Sequence, residues 1–113
     1  MLDRLFGESA SRILLYLDAV EEGCAPEIAT NFDFAVSAIQ RQLRNFEHAG
    51  VLSSRLIGNV RIYTFNPRYP FLPELRSLLR RAREYLPDEE QKRYYSPRTR
   101  PRRKLADLRA FGC

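Results

Sequence analysis

Histidine and cysteine are nearly missing from this chain. His48 is the only histidine, and the two cysteines, Cys24 and Cys113, lie far apart with no ligand-like spacing around them. A metal centre is therefore not expected, and neither is a cofactor. Cys24 reads as a small buried hydrophobe at a helix junction, with a redox-sensing thiol as the alternative, and Cys113 as exposed and incidental. No apolar run approaches the roughly 18 residues of a membrane span, and the start of the chain lacks the basic and apolar stretches of a signal peptide. The expectation is a cytoplasmic protein without membrane contact. Paired carboxylates, a nucleophile beside a base and a phosphate-cradling glycine loop are also missing, so an enzyme is not expected. A chain of 113 residues has room for a modest core but little to spare for a deep cleft, which favours a binding module.

What is present is arginine. Of the nineteen basic residues, seventeen are arginine, and they are segregated: residues 1–35 hold seven acids against Arg4 and Arg12, whereas residues 36–113 hold seventeen bases against seven acids. Arginine binds phosphate and guanine edges bidentately, so this balance fits a polyanion partner, with genomic base composition as the alternative source of the high arginine usage.

The chain reads as a series of helices interrupted by one hairpin. Residues 9–22 place Ala10, Ile13, Leu14, Leu17 and Val20 on one stripe with Leu15, Tyr16 and Ala19 on its flanks, a helix buried on more than one side and ended by Gly23. Pro26 suits the first position of a second helix, with Glu27 at its positive end. Asn31 to Phe34 must then contain a turn, and Asp33 is the residue best able to take a left-handed conformation there. In residues 35–65, Ile39, Leu43 and Phe46 fall on one helical face, leaving Ser37, Gln40, Arg41 and Arg44 outward, and Gly50 supplies the stop. Residues 51–57 and 60–65 are β-branched and aromatic runs joined by the two-residue turn Gly58-Asn59. A last helix over 73–86 carries Leu75, Leu78, Leu79, Ala82 and Leu86 in register, with Arg76, Arg80 and Arg83 elsewhere on its surface. After Pro87, Asp88 to Tyr95 suits a further short helix. Residues 96–104 form a basic, proline-containing run expected to be extended when free, either a phosphate-binding arm or a solvated tail. Leu105, Leu108 and Phe111 make one weakly amphipathic turn.

The order of a long apolar helix, a short helix opened by Pro-Glu-Ile-Ala, the run Ser37-Ala38-Ile39-Gln40-Arg41-Gln42-Leu43, then Ala49-Gly50-Val51-Leu52 and an arginine-bearing hairpin resembles the winged helix-turn-helix transcriptional regulators of the ArsR-like type. The likeness covers about residues 5–86. It implies a mainly α fold with a small β-hairpin (α+β) and a carboxy-terminal dimerisation helix, a winged helix-turn-helix DNA-binding and dimerisation domain over 1–87; the change of composition after Pro87 makes 88–113 a basic carboxy-terminal extension, partly extended or disordered when free. Two positions depart from the family pattern, with Asp33 in place of the usual turn glycine and Phe34-Ala35 in place of a serine or threonine cap. The ligand clusters of the metal-sensing members are absent.

Carried over residue by residue, the resemblance implies that Ser37, Ala38, Gln40 and Arg41 face the major groove of double-stranded DNA, Gln40 suited to adenine and Arg41 to guanine, with Arg44 nearer phosphate. Arg55, Asn59 and Arg61 form the wing that meets phosphate or minor groove. It further implies a homodimer with Leu15, Tyr16, Leu72, Leu75, Leu79 and Leu86 at its interface, for which packing inside one chain is the alternative. The expected function is sequence-specific DNA binding by a transcriptional repressor. The rival expectation is a protein-interaction module anchored by Leu56, Ile57 and, in the carboxy-terminal extension, Leu105, Leu108 and Phe111.

Overall fold

A computed structural model of the chain describes residues 2–96. Its elements run α1 (Asp3–Phe6), α2 (Glu8–Val20), β1 (Glu22–Gly23), α3 (Ala25–Phe32), α4 (Val36–His48), β2 (Leu52–Ile57), β3 (Val60–Phe65), α5 (Leu72–Glu84) and α6 (Asp88–Tyr94). The expected tail from Pro97 onward, with Leu105, Leu108, Phe111 and Cys113, lies outside the described residues.

Helix α2 is the centre of the core. Its residues from Ile13 to Leu17 are all buried, and α1, α3, α4 and α5 pack around it, so a helix apolar on several sides finds a neighbour for each of them. It ends at Glu21, which adopts a φ of 76°, and not at Gly23 as the sequence suggests. Gly23 is needed for space instead. It lies in β1, where a Cβ would come 3.3 Å from a Tyr16 ring carbon and 3.4 Å from a Glu27 carboxylate oxygen. The left-handed turn therefore falls to Glu21, whose carboxylate accepts bonds of 3.0 and 3.2 Å from Arg76.

Helix α3 carries Pro26 within its first turn and stops at Asp33, whose φ of 59° is left-handed, as the turn chemistry predicts. The Phe34 N–H donates to the Ala29 carbonyl at 2.9 Å. Helix α4 then starts from Ala35, which is extended and provides no side-chain cap, so Asp33 closes one helix without capping the next. At its far end Gly50 has a φ of 84°. The Val51 N–H reaches the Phe46 carbonyl at 2.9 Å and the Gly50 N–H reaches that of Glu47 at 3.0 Å, the paired bonds of a Schellman stop.

Strands β2 and β3 pair antiparallel from Leu52 opposite Phe65 to Ile57 opposite Val60, around a turn in which Gly58 has positive φ and Asn59 does not. A third strand, β1, adds to the other edge of β3 to give the order β1-β3-β2. Helix α5 returns to lie along α2, burying Leu79 and Ala82. Between the two helices the buried Asp18 carboxylate accepts from Arg76 Nε at 2.8 Å and from an Arg83 guanidinium nitrogen at 2.7 Å. Residues 88–95, placed by the sequence in an extension, form α6 and then pack on the same core. Tyr94 stacks on Phe32 at 5.4 Å and Tyr95 is buried. The architecture is that of a winged helix, mainly α with a small antiparallel sheet.

Candidate nucleic-acid interface

The outward face of α4 follows from its inward one. Because Ile39 and Leu43 point into the core, Ser37, Gln40, Arg41 and Arg44 are exposed, and Ala38 is half-buried beside them. Among the described residues neither Arg41 nor Arg44 has an ion-pair partner, whereas Arg12, Arg55, Arg76 and Arg83 all do. The α4 guanidiniums therefore keep their full charge and all of their donors for an external acceptor.

Four of the predicted residues converge. Gln40 and Arg44 from α4 and Asn59 and Arg61 from the hairpin line one cleft of about 350 Å³, whose wall also includes Pro26 and Tyr63. Its polar groups are two guanidiniums, two carboxamides and a phenol, a set rich in donors that suits phosphate oxygens and base edges. Burial, and then the nearby Glu47 carboxylate, holds the Tyr63 hydroxyl above the usual phenol range, with Arg61 and Arg44 pulling the other way. Tyr63 is thus a neutral donor at pH 7. Strand alternation shows which face of β3 Tyr63 occupies but not that the cleft reaches it.

The two wing arginines, equivalent in the sequence, differ in the structure. Arg55 lies opposite Ile62 and Arg61 opposite Leu56, so strand alternation places them on opposite faces of the hairpin. Arg61 shares the cleft and donates to Ser54 Oγ at 2.8 Å. Arg55 points to the other face and is paired with Glu22 of β1 at 2.8 Å. No sequence signal announced that acid, because it reaches Arg55 only through the pairing of β1 with β3.

The residues expected at a dimer surface are placed inside one chain. Leu15, Tyr16 and Leu79 are buried, and Leu72, Leu75 and Leu86 are half-buried against the same core. The inward leucines of α5 are thus occupied by α2. Cys24 is buried beside Ile62 and is not a free thiol. Among the described residues no group of three or more His, Cys, Asp or Glu side chains is placed to hold a metal ion, and no helix is long and apolar enough to cross a membrane.

No protein-family model matches the sequence, and no curated protein matches it. Among solved structures the chain is similar to Lactococcus lactis ZitR. A single-substitution variant of ZitR has a TM-score of 0.50 at 17% identity, covering 75% of this chain and 65% of that one. A double-substitution variant has a TM-score of 0.48 at 19% identity, covering 75% and 66%. The wild-type protein has a TM-score of 0.46 at 15% identity, covering 74% and 64%. The chain thus spans just under two thirds of the length of these structures. At such identities the likeness is one of fold.

Proposed function

We propose that this chain is a sequence-specific regulator of transcription that binds double-stranded DNA as a homodimer and represses the genes beside its site, as the ArsR-like resemblance of its central motif implies. Helix α4 enters the major groove, where Gln40 and Arg41 read base edges and Ser37 and Ala38 make close contacts, while Arg44 and Arg61 hold phosphate. The observation that carries this reading is the cleft between α4 and the wing, in which Gln40, Arg44, Asn59 and Arg61 meet beside an arginine-bearing helix face without intrachain ion pairs. A buried core would not turn guanidiniums and carboxamides toward one open side, and the residues lining this cleft include no carboxylate or imidazole to serve as a general base.

The test is selection of bound genomic fragments followed by fluorescence anisotropy. Arg41→Ala should weaken the selected site by roughly 10- to 100-fold and leave random duplex unchanged. If both Arg41→Ala and Gln40→Ala bind the selected site as the parent does, the groove assignment fails. One observation favours a second reading. Leu56, near the tip of the wing, is 60% exposed, which suits a protein-docking surface. Binding to random duplex with a steep dependence on salt separates the two, because only a phosphate-binding surface produces it.

A further inference from the structure

The single acid of α4 is tied to the wing. Glu47, half-buried in the last turn of the helix, accepts a bond of 2.6 Å from Ser54 Oγ of β2, and Ser54 Oγ in turn accepts one of 2.8 Å from Arg61 of β3. Two bonds thus join three elements. Their direction is settled by chemistry: a guanidinium can only donate, so Ser54 must accept from Arg61, and its single proton is left for the Glu47 carboxylate. The hydroxyl cannot rotate away without losing both partners. Strand register supports the same arrangement, because Ser54 lies directly opposite Tyr63 and Arg61 is two residues from Tyr63, which puts all three on the hairpin face that lines the cleft.

We infer that Glu47 and Ser54 are positioning residues for DNA binding, which hold the Arg61 guanidinium toward the phosphate flanking the groove that α4 enters. The contrast with Arg55 supports this. Glu22 meets Arg55 directly at 2.8 Å, whereas the Ser54 hydroxyl stands between Glu47 and Arg61, so the acid orients the guanidinium without engaging it as an ion pair. Ser54 takes one of the five guanidinium donors, and among the described residues the other four have no partner. An unrestrained arginine gives up rotamer freedom when it meets a phosphate, and a side chain already held gives up less. Because Glu47 belongs to α4 and Arg61 to the wing, the chain of bonds also ties the phosphate contact to the base-reading helix.

This inference rests on the DNA-binding reading, so its test must tell the two apart. Ser54→Thr and Ser54→Val give side chains of the same shape that differ in the hydroxyl, and both suit a strand. Anisotropy on random duplex at about 50 mM KCl should find Ser54→Thr equal to the parent and Ser54→Val weaker by roughly 3- to 5-fold. In an Arg61→Ala background the two should bind alike, since no guanidinium is left to hold. A difference that persists at full size in that background would assign Ser54 to hairpin stability and overturn the inference. Equal binding of Ser54→Thr and Ser54→Val with Arg61 present, while Arg61→Ala weakens binding, would overturn it as well and leave the DNA-binding reading standing. A parent chain that binds no duplex under these conditions would sink both.

Discussion

The arginines of α4 and those of α5 are the same residue type under opposite conditions. Arg76 and Arg83 lie seven residues apart on α5 and converge on one buried acid, Asp18, with Glu21 closing round Arg76. Arg41 and Arg44 lie three apart on α4 with no acid aimed at them among the described residues. The acidity of residues 1–35 thus has a structural use: Asp18, Glu21 and Glu22 neutralise Arg76, Arg83 and Arg55. Arg41, Arg44 and Arg61, in contrast, have no ion-pair partner among the described residues. One end of the molecule uses guanidiniums to join helices, and the other leaves them for a partner.

The most forceful way to break this contrast is to remove the acid at the closed end. Asp18→Ala leaves the partly buried Arg83 guanidinium without its counter-charge beside Arg76, which retains only Glu21, and should cost about 3 kcal/mol of folding stability. Urea unfolding measures it, and binding of DNA per folded molecule should not change. A loss below about 1 kcal/mol would mean that the network is no more than a surface ion pair. The same end contains Tyr95, which burial pushes up to about 12, against the pull of Arg12 and with Glu90 and Asp3 adding to the rise. Its folded value lies above the ordinary phenol value, so its contribution is fully present below about pH 10 and is lost as pH rises through about 12. Two pKa units correspond to something on the order of 2–3 kcal/mol. Denaturant midpoints followed from pH 8 to 12 should fall steeply for the parent and less so for Tyr95→Phe. Parallel curves would rule out Tyr95 as the source.

Much of the open end is legible from residue spacing, because its elements are local. Ile39, Leu43 and Phe46 with Gly50 define α4 and its stop, Gly58-Asn59 defines the hairpin, and Asp33 was rightly identified as the left-handed residue of the turn. The closed end is less legible because its determinants are far apart in sequence. Strand β1 has two residues and exists only through pairing with β3. Asp18 is an isolated acid in an apolar helix, and its partners lie on a helix more than fifty residues later. Gly23 looks like a helix stop, yet its constraint is the room needed by Tyr16 and Glu27. The leucines of α5 were assigned to a partner because periodicity shows that a face is apolar, but not which surface covers it. Leu78, which the spacing groups with Leu75, Leu79, Ala82 and Leu86, is instead 43% exposed.

The finest division of the comparison runs through the wing itself, where one arginine is open and one is closed. Arg61 faces the cleft and, among the described residues, is bonded only to a neutral hydroxyl, whereas Arg55 is paired with Glu22 at 2.8 Å on the opposite face. A phosphate must compete with Glu22 for Arg55 but with nothing charged for Arg61. Arg61→Ala should therefore lower the slope of log affinity against log salt by about one and weaken all duplexes by a similar factor, roughly 3- to 10-fold. Arg55→Ala should change the slope by less than half as much. Glu22→Gln removes the competing charge without removing much volume, so it should strengthen binding to random duplex, and Arg55→Ala should abolish that gain. Anisotropy titrations between 50 and 300 mM KCl supply all four slopes. Equal losses for Arg55→Ala and Arg61→Ala would show that the Glu22 pair opens at no cost when DNA binds, and that the two faces of the hairpin contribute alike.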